Sequence, residues 1–171
     1  MAKKLSTPVK LMILIVLTIL FYTLWIYGLE KAYTKFLLGG TNTALSIIKT
    51  DTHIELEKEN ETYQFRVRTK IDGRKASFPQ KIGSLLQPTV IILAWQLFLF
   101  FVLGKRDALR SLGINLGIFY LAQILLLVFL SGFYVSEVQK FIYLMLMDSF
   151  YVIAIVLVIK DSILYPVFRK A

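Results

Sequence analysis

The chain has 171 residues, of which 57% are hydrophobic and 18% charged, with a mean hydropathy of +0.66. Its 20 Lys and Arg outnumber 11 Asp and Glu for a formal charge of +9, and it contains no cysteine. A soluble domain of this length is less apolar, a nucleic-acid binder needs a basic face on such a domain, and the missing cysteines exclude disulfides, thiol catalysis and Cys-ligated metal. The charges gather into a few short stretches and one long one, with uncharged runs between. That pattern predicts an α-helical integral membrane protein with four transmembrane helices and a small extracytoplasmic α+β insert between the first two.

Residues 1–10 form a basic N-terminus with Lys3, Lys4 and Lys10, and residues 11–29 carry no charge. At the helical rise this run matches the hydrocarbon core of a bilayer. It is long for a signal-peptide core and has no Ala-x-Ala-like site near Gly28, so it reads as an uncleaved signal anchor. Tyr22, Trp25 and Tyr27 suit an aromatic belt at its outer end. The helix is expected to reach residue 38, with Gly39-Gly40 as its stop and Thr41-Asn42 capping a short second helix over 43–48.

The polar insert, 30–84, is expected to carry a β-hairpin over 52–57 and 62–71, because both runs alternate apolar and polar residues. Lys58 to Glu61 is a connection of hairpin length, and Asp72-Gly73 ends the second strand with turn chemistry. Tyr63, Phe65, Val67 and Ile71 fall on one face, with Gln64, Arg66, Arg68 and Lys70 on the other. Two strands alone are marginal in water, so the aromatic face needs a cover: the first helix, the membrane surface or another protein. The edge beside the basic face also suits a passing peptide. Arg74 to Gln87 reads as an extended return, with Pro79 arguing against helix.

Three further spans follow. Pro88 opens the second within 85–104, a basic loop occupies 105–110, and the third runs over 111–136. An outer loop at 137–140 leads to the fourth span at 141–159, and the tail is 160–171. The N-terminus, the 105–110 loop and the tail each carry three Lys or Arg, whereas the 137–140 loop carries one. The positive-inside rule then places both termini in the cytoplasm and the insert outside. Those flanking cations are expected to contact anionic membrane lipids rather than nucleic acid.

Catalytic chemistry has little to build on. His53 is the sole histidine, and no His-Glu-x-x-His or Gly-x-Ser-x-Gly motif occurs. The reading is therefore non-enzymatic, with no cofactor and no metal. Asp148 interrupts the fourth span about eight residues, or roughly 12 Å, from Lys140. A carboxylate at that depth should face protein or water, or be protonated. It is expected either to meet a partner's transmembrane helix with Tyr151, to serve as an ion or proton site of a small transporter or channel subunit, or to bond internally to Gln96, Asn115 or Gln123. Those three could equally form a polar seam between spans two and three. Gly113 and Gly117 make a small-xxx-small pair where another helix could approach. Tyr63, Phe65, Arg66 and Arg68 are the insert's candidate contact residues. Asn60-Glu61-Thr62 also fits a glycosylation sequon, a pattern frequent by chance.

The layout, with its strand of Tyr63, Phe65, Val67 and Thr69 and its Pro-led second span, resembles the exosortase-associated membrane proteins. These are small bacterial proteins that accompany a multi-spanning sorting protease. The resemblance implies a multi-pass protein of the bacterial cytoplasmic (inner) membrane acting as an accessory. It would bind or steady an exosortase-like protease, or help present its tail-anchored substrates, while the protease holds the catalytic residues.

Overall fold

The computed structural model describes residues 5–48, 51–59, 62–71, 73–81 and 85–168. It is mostly helical, with five α-helices and one three-stranded sheet among the described residues. Helix α1 (Thr7–Leu24) starts with Pro8 in its first turn, where no intrahelical N–H is needed. The backbone then breaks over Trp25–Leu29, where Gly28 has φ +136°. Only glycine adopts that conformation without strain. Helix α2 (Glu30–Ile47) follows and passes straight through Gly39-Gly40.

The expected stop at that glycine pair is therefore wrong, for a reason of packing. A Cβ on Gly40 would meet the Tyr120 hydroxyl and the tip of Ile124 of helix α4, which would have to shift, so a glycine suits this close approach without any turn. Thr41 and Asn42 do not cap a new helix; the Thr41 hydroxyl donates back to the Leu37 carbonyl, and the Asn42 side chain bonds to the Ile54 backbone.

Strands β1 (His53–Glu59), β2 (Thr62–Ile71) and β3 (Arg74–Lys81) form an antiparallel sheet in that order. The expected hairpin is present, but it is two thirds of a meander whose third strand is the stretch read as an extended return. Pro79 is tolerated because β3 is an edge strand. Residues 60, 61 and 72, which carry most of the sequon and part of the turn reading, lie outside the described residues. In register, Ile54 faces Val67 and Val67 faces Phe78, while Leu56 faces Phe65.

Helix α3 (Pro88–Val102) has 15 residues and is buried along most of its length. Helices α4 (Lys105–Ser131) and α5 (Glu137–Leu164) are long. The expected loop at 105–110, the outer loop at 137–140 and the start of the tail are all helical. Three stretches are long and apolar enough to cross a membrane: Thr7–Ile47, Lys105–Ser131 and Glu137–Leu164. Helix α3 is apolar but shorter.

The chain divides into two compact units. The first comprises Met1–Gly28, Leu86–Phe119 and Phe150–Ala171. Its core surrounds α3, where Trp95, Phe98, Leu99 and Val102 pack with Leu17, Ala108 and Val167. Lys10 Nζ donates to the Val167 carbonyl at 2.6 Å, joining the beginning and end of this unit. The second comprises Leu29–Leu85 and Tyr120–Ser149. There Leu37, Leu45, Ile54, Phe65, Val67, Leu126, Leu127 and Leu130 are buried.

Candidate functional site

In the second unit the sheet has one sealed face and one open face. Phe65 and Val67 are fully buried and Ile54 is 1% exposed. Helix α2 packs against β1, and the Asn42 side chain clamps the strand there, accepting from Ile54 N at 3.0 Å and donating to Ile54 O at 2.9 Å. Phe78 of β3 packs edge-on against Tyr134, with ring centroids 4.5 Å apart. The chain thus covers the aromatic face itself. Phe65 lies inside the unit, and Tyr63 sits under Lys31 of α2, whose Nζ is 5.2 Å from the ring centroid. The hydrogen bond from Lys31 pulls the Tyr63 phenol below its ordinary pKa, outweighing a small opposing effect of burial.

The opposite face is charged. Arg66 pairs with Glu57 at 2.5 Å, Arg68 with Glu55 at 2.8 Å and Lys70 with Asp51 at 2.9 Å. These pairs cross from β2 to β1 or, for Asp51, to the residue two before it. Strand β3 brings three basic residues and no acid, and the register sets Lys75 directly against Lys70. A hollow of about 580 Å³ lies on this face, lined by Asp51, Glu57, Arg66, Arg68, Lys70 and Lys75 among others. His53 is exposed at its edge, 4.0 Å from Glu55. Among the described residues no three or more His, Asp or Glu gather as a metal site.

The first unit holds a polar centre that sequence reasoning missed. Asp161, fully buried, receives four donors on Oδ2: Trp95 Nε1 at 3.0 Å, Gln96 Nε2 at 3.2 Å, Ser111 Oγ at 2.7 Å and Asn115 Nδ2 at 2.6 Å. Oδ1 accepts no hydrogen bond; the Lys160 ammonium lies 3.3 Å from it and also donates to Asn115 Oδ1 at 2.5 Å. The cage is built of donors, so it suits the one carboxylate it holds rather than a second cation.

Two of the three amides read as a seam, Gln96 and Asn115, belong to this cage. The third does not: Gln123 accepts from Tyr33 in the second unit. The signal for Asp161 was present. Lys160-Asp161 is followed by Ser162-Ile163-Leu164, an apolar continuation that prolongs the helix past its charges. Trp95, buried in α3, also needed an acceptor for its N–H.

Asp148 bonds to none of its expected partners. It is exposed on α5, and no hydrogen bond or ion pair reaches it among the described residues. Phe141, Leu144 and Met145, on the same helical face, are also exposed. Facing lipid at this position, an ionised carboxylate would cost about 2.5–3.5 kcal/mol. Tyr151 donates to Gln87 Oε1 at 3.1 Å. Gly113 is exposed, and a Cβ at Gly113 or Gly117 would meet no atom within 4 Å, so no helix of this chain occupies that pair. Of the aromatic belt, Tyr22 and Tyr27 face outward, whereas Trp25 is buried.

No known family, curated protein or solved structure matches the chain.

Proposed function

We propose that the chain is a non-catalytic accessory subunit of a bacterial membrane protein-sorting system, of the exosortase-associated kind that its layout resembles. In this reading four helices cross the cytoplasmic membrane, α3 being the shortest. Both termini lie in the cytoplasm, and the sheet stands outside as a platform for a membrane protease or its tail-anchored substrates. The observation that carries the reading is the division of the sheet. Its apolar face is closed by the chain's own α2 and Tyr134, and its charged face is left open around a hollow of about 580 Å³. A sheet kept only as a cap for the helices needs no such hollow, whereas a contact surface gains from paired charges that fix orientation and reject mismatched partners.

The test is photocrosslinking from position 77, a β3 residue lining the hollow, in native membranes. The expected product is one adduct with a multi-spanning membrane protease or its substrate, weakened at least several-fold by Arg68→Glu. Full expression with no adduct, or an adduct indifferent to that substitution, would refute the reading.

A further inference from the structure

Among the described residues, no hydrogen bond or ion pair reaches the Asp148 carboxylate. It is eight residues along α5 from Lys140, roughly 12 Å by helical rise, in a helix long and apolar enough to cross a membrane. Its neighbours one and two turns back on the same face, Phe141, Leu144 and Met145, are exposed and purely apolar or thioether. An aspartate side chain is too short to reach an interface at that distance, unlike Lys or Arg. The exposure places it outside the folded interior, and its depth places it outside water. Unless it is protonated, the carboxylate therefore needs a partner from outside the described residues.

We propose that Asp148 is the docking point for a transmembrane helix of another protein that carries an arginine or lysine at matching depth. The inference rests on the membrane-accessory reading and gives the chemistry of the partner within the bilayer. Charge complementarity selects this occupant over a second copy of the chain. In a two-fold symmetric pair, contact across this face would set Asp148 against its own counterpart, apolar residues or Tyr151, none of which is a cation. The cations of α5, Lys140 and Lys160, stand at other levels of the helix and are engaged with Glu137 and with Asn115 and Asp161. A long basic side chain from a foreign helix can lie along the Leu144–Met145 surface and bring its head to the carboxylate. The apolar residues around it supply the packing on which helix association in lipid depends.

The experiment uses the full chain in phosphatidylcholine vesicles with labelled poly-leucine helices that carry one central arginine, one central glutamate or neither, read by energy transfer. The arginine helix should associate with the wild-type chain about tenfold more tightly than the all-leucine helix. Asp148→Leu should remove that preference, and Asp148→Lys should transfer it to the glutamate helix. The two variants change only an exposed side chain, and the charge reversal separates loss of contact from loss of fold.

Equal association of the arginine and all-leucine helices with the wild type overturns the proposal, as does a preference that survives Asp148→Leu. Self-association that Asp148→Leu abolishes also overturns it, assigning the face to a second copy. Release of the chain from membranes by alkaline carbonate overturns the underlying membrane reading as well. Retention without arginine preference overturns the docking proposal alone.

Discussion

Replacing Asp161 with leucine removes the only acceptor shared by Trp95, Gln96, Ser111 and Asn115, and leaves the Lys160 ammonium without its carboxylate. Taken singly, hydrogen bonds to a charged group contribute about 1.5–3 kcal/mol each, which for four would exceed the whole stability of many domains. The contributions do not add, because one oxygen receives all four donors and part of their attraction goes to offsetting the cost of burying the charge. Polar contacts between membrane helices are also weaker, averaging ~0.6 kcal/mol in double-mutant cycles. Lys160 is a third exposed and can turn its head outward.

These terms place the loss at roughly 2–4 kcal/mol, near the lower end of the cost of breaking a buried pair. Asp161→Asn keeps an acceptor oxygen and the shape of the group, and should cost about half as much. Adding Lys160→Met to Asp161→Leu should recover about 1 kcal/mol by removing the orphaned cation. Reversible unfolding in mixed micelles, followed by tryptophan fluorescence, measures all three. Asp161→Leu within about 0.5 kcal/mol of wild type would show that the cage contributes nothing net and refute the reasoning.

Gly40→Val should destabilise the second unit by about 1–3 kcal/mol through overpacking against Tyr120 and Ile124, and Tyr120→Ala in the same chain should restore part of the loss. Thermal unfolding in detergent checks both, and a neutral or stabilising Gly40→Val, or a loss that Tyr120→Ala does not relieve, would refute the contact. On the sheet, Phe65→Ala should cost about 3–5 kcal/mol because the ring is fully buried. Arg68→Ala removes only an exposed pair and should change stability by no more than about 1 kcal/mol in the same assay.

The sequence is most legible where a pattern repeats. Alternation over 62–71 places Phe65 and Val67 inside and Arg68 and Lys70 outside, as the structure has them. It fails for β3 because Pro79 and the basic residues there disguise an edge strand, whose pairing is supplied by β2 rather than by its own composition. Helix ends fail for another reason. Charge marks where a chain would leave lipid, whereas the backbone follows hydrogen bonding, so α4 begins at Lys105 and α5 continues past Lys160-Asp161. The helix breaks at Gly28, where no stop was expected, and runs through Gly39-Gly40, where one was, because a glycine can answer either to a turn or to a close neighbour. Which one applies depends on Tyr120, 80 residues away from Gly40. The cage escaped for the same reason: its members look like isolated polar residues until α3, α4 and α5 are assembled.

The order of those members along the chain has a consequence for biosynthesis. Trp95, Gln96, Ser111 and Asn115 all precede Asp161, so a chain made from its N-terminus presents four donors before the acceptor exists. Until the end of α5 is in place, Ser111 can donate to Gln96 Oε1 and Asn115 to Ser111 Oγ, but none of the four has its carboxylate. The arrival of one carboxylate then engages them together, so closure of the first unit is tied to completion of its last helix.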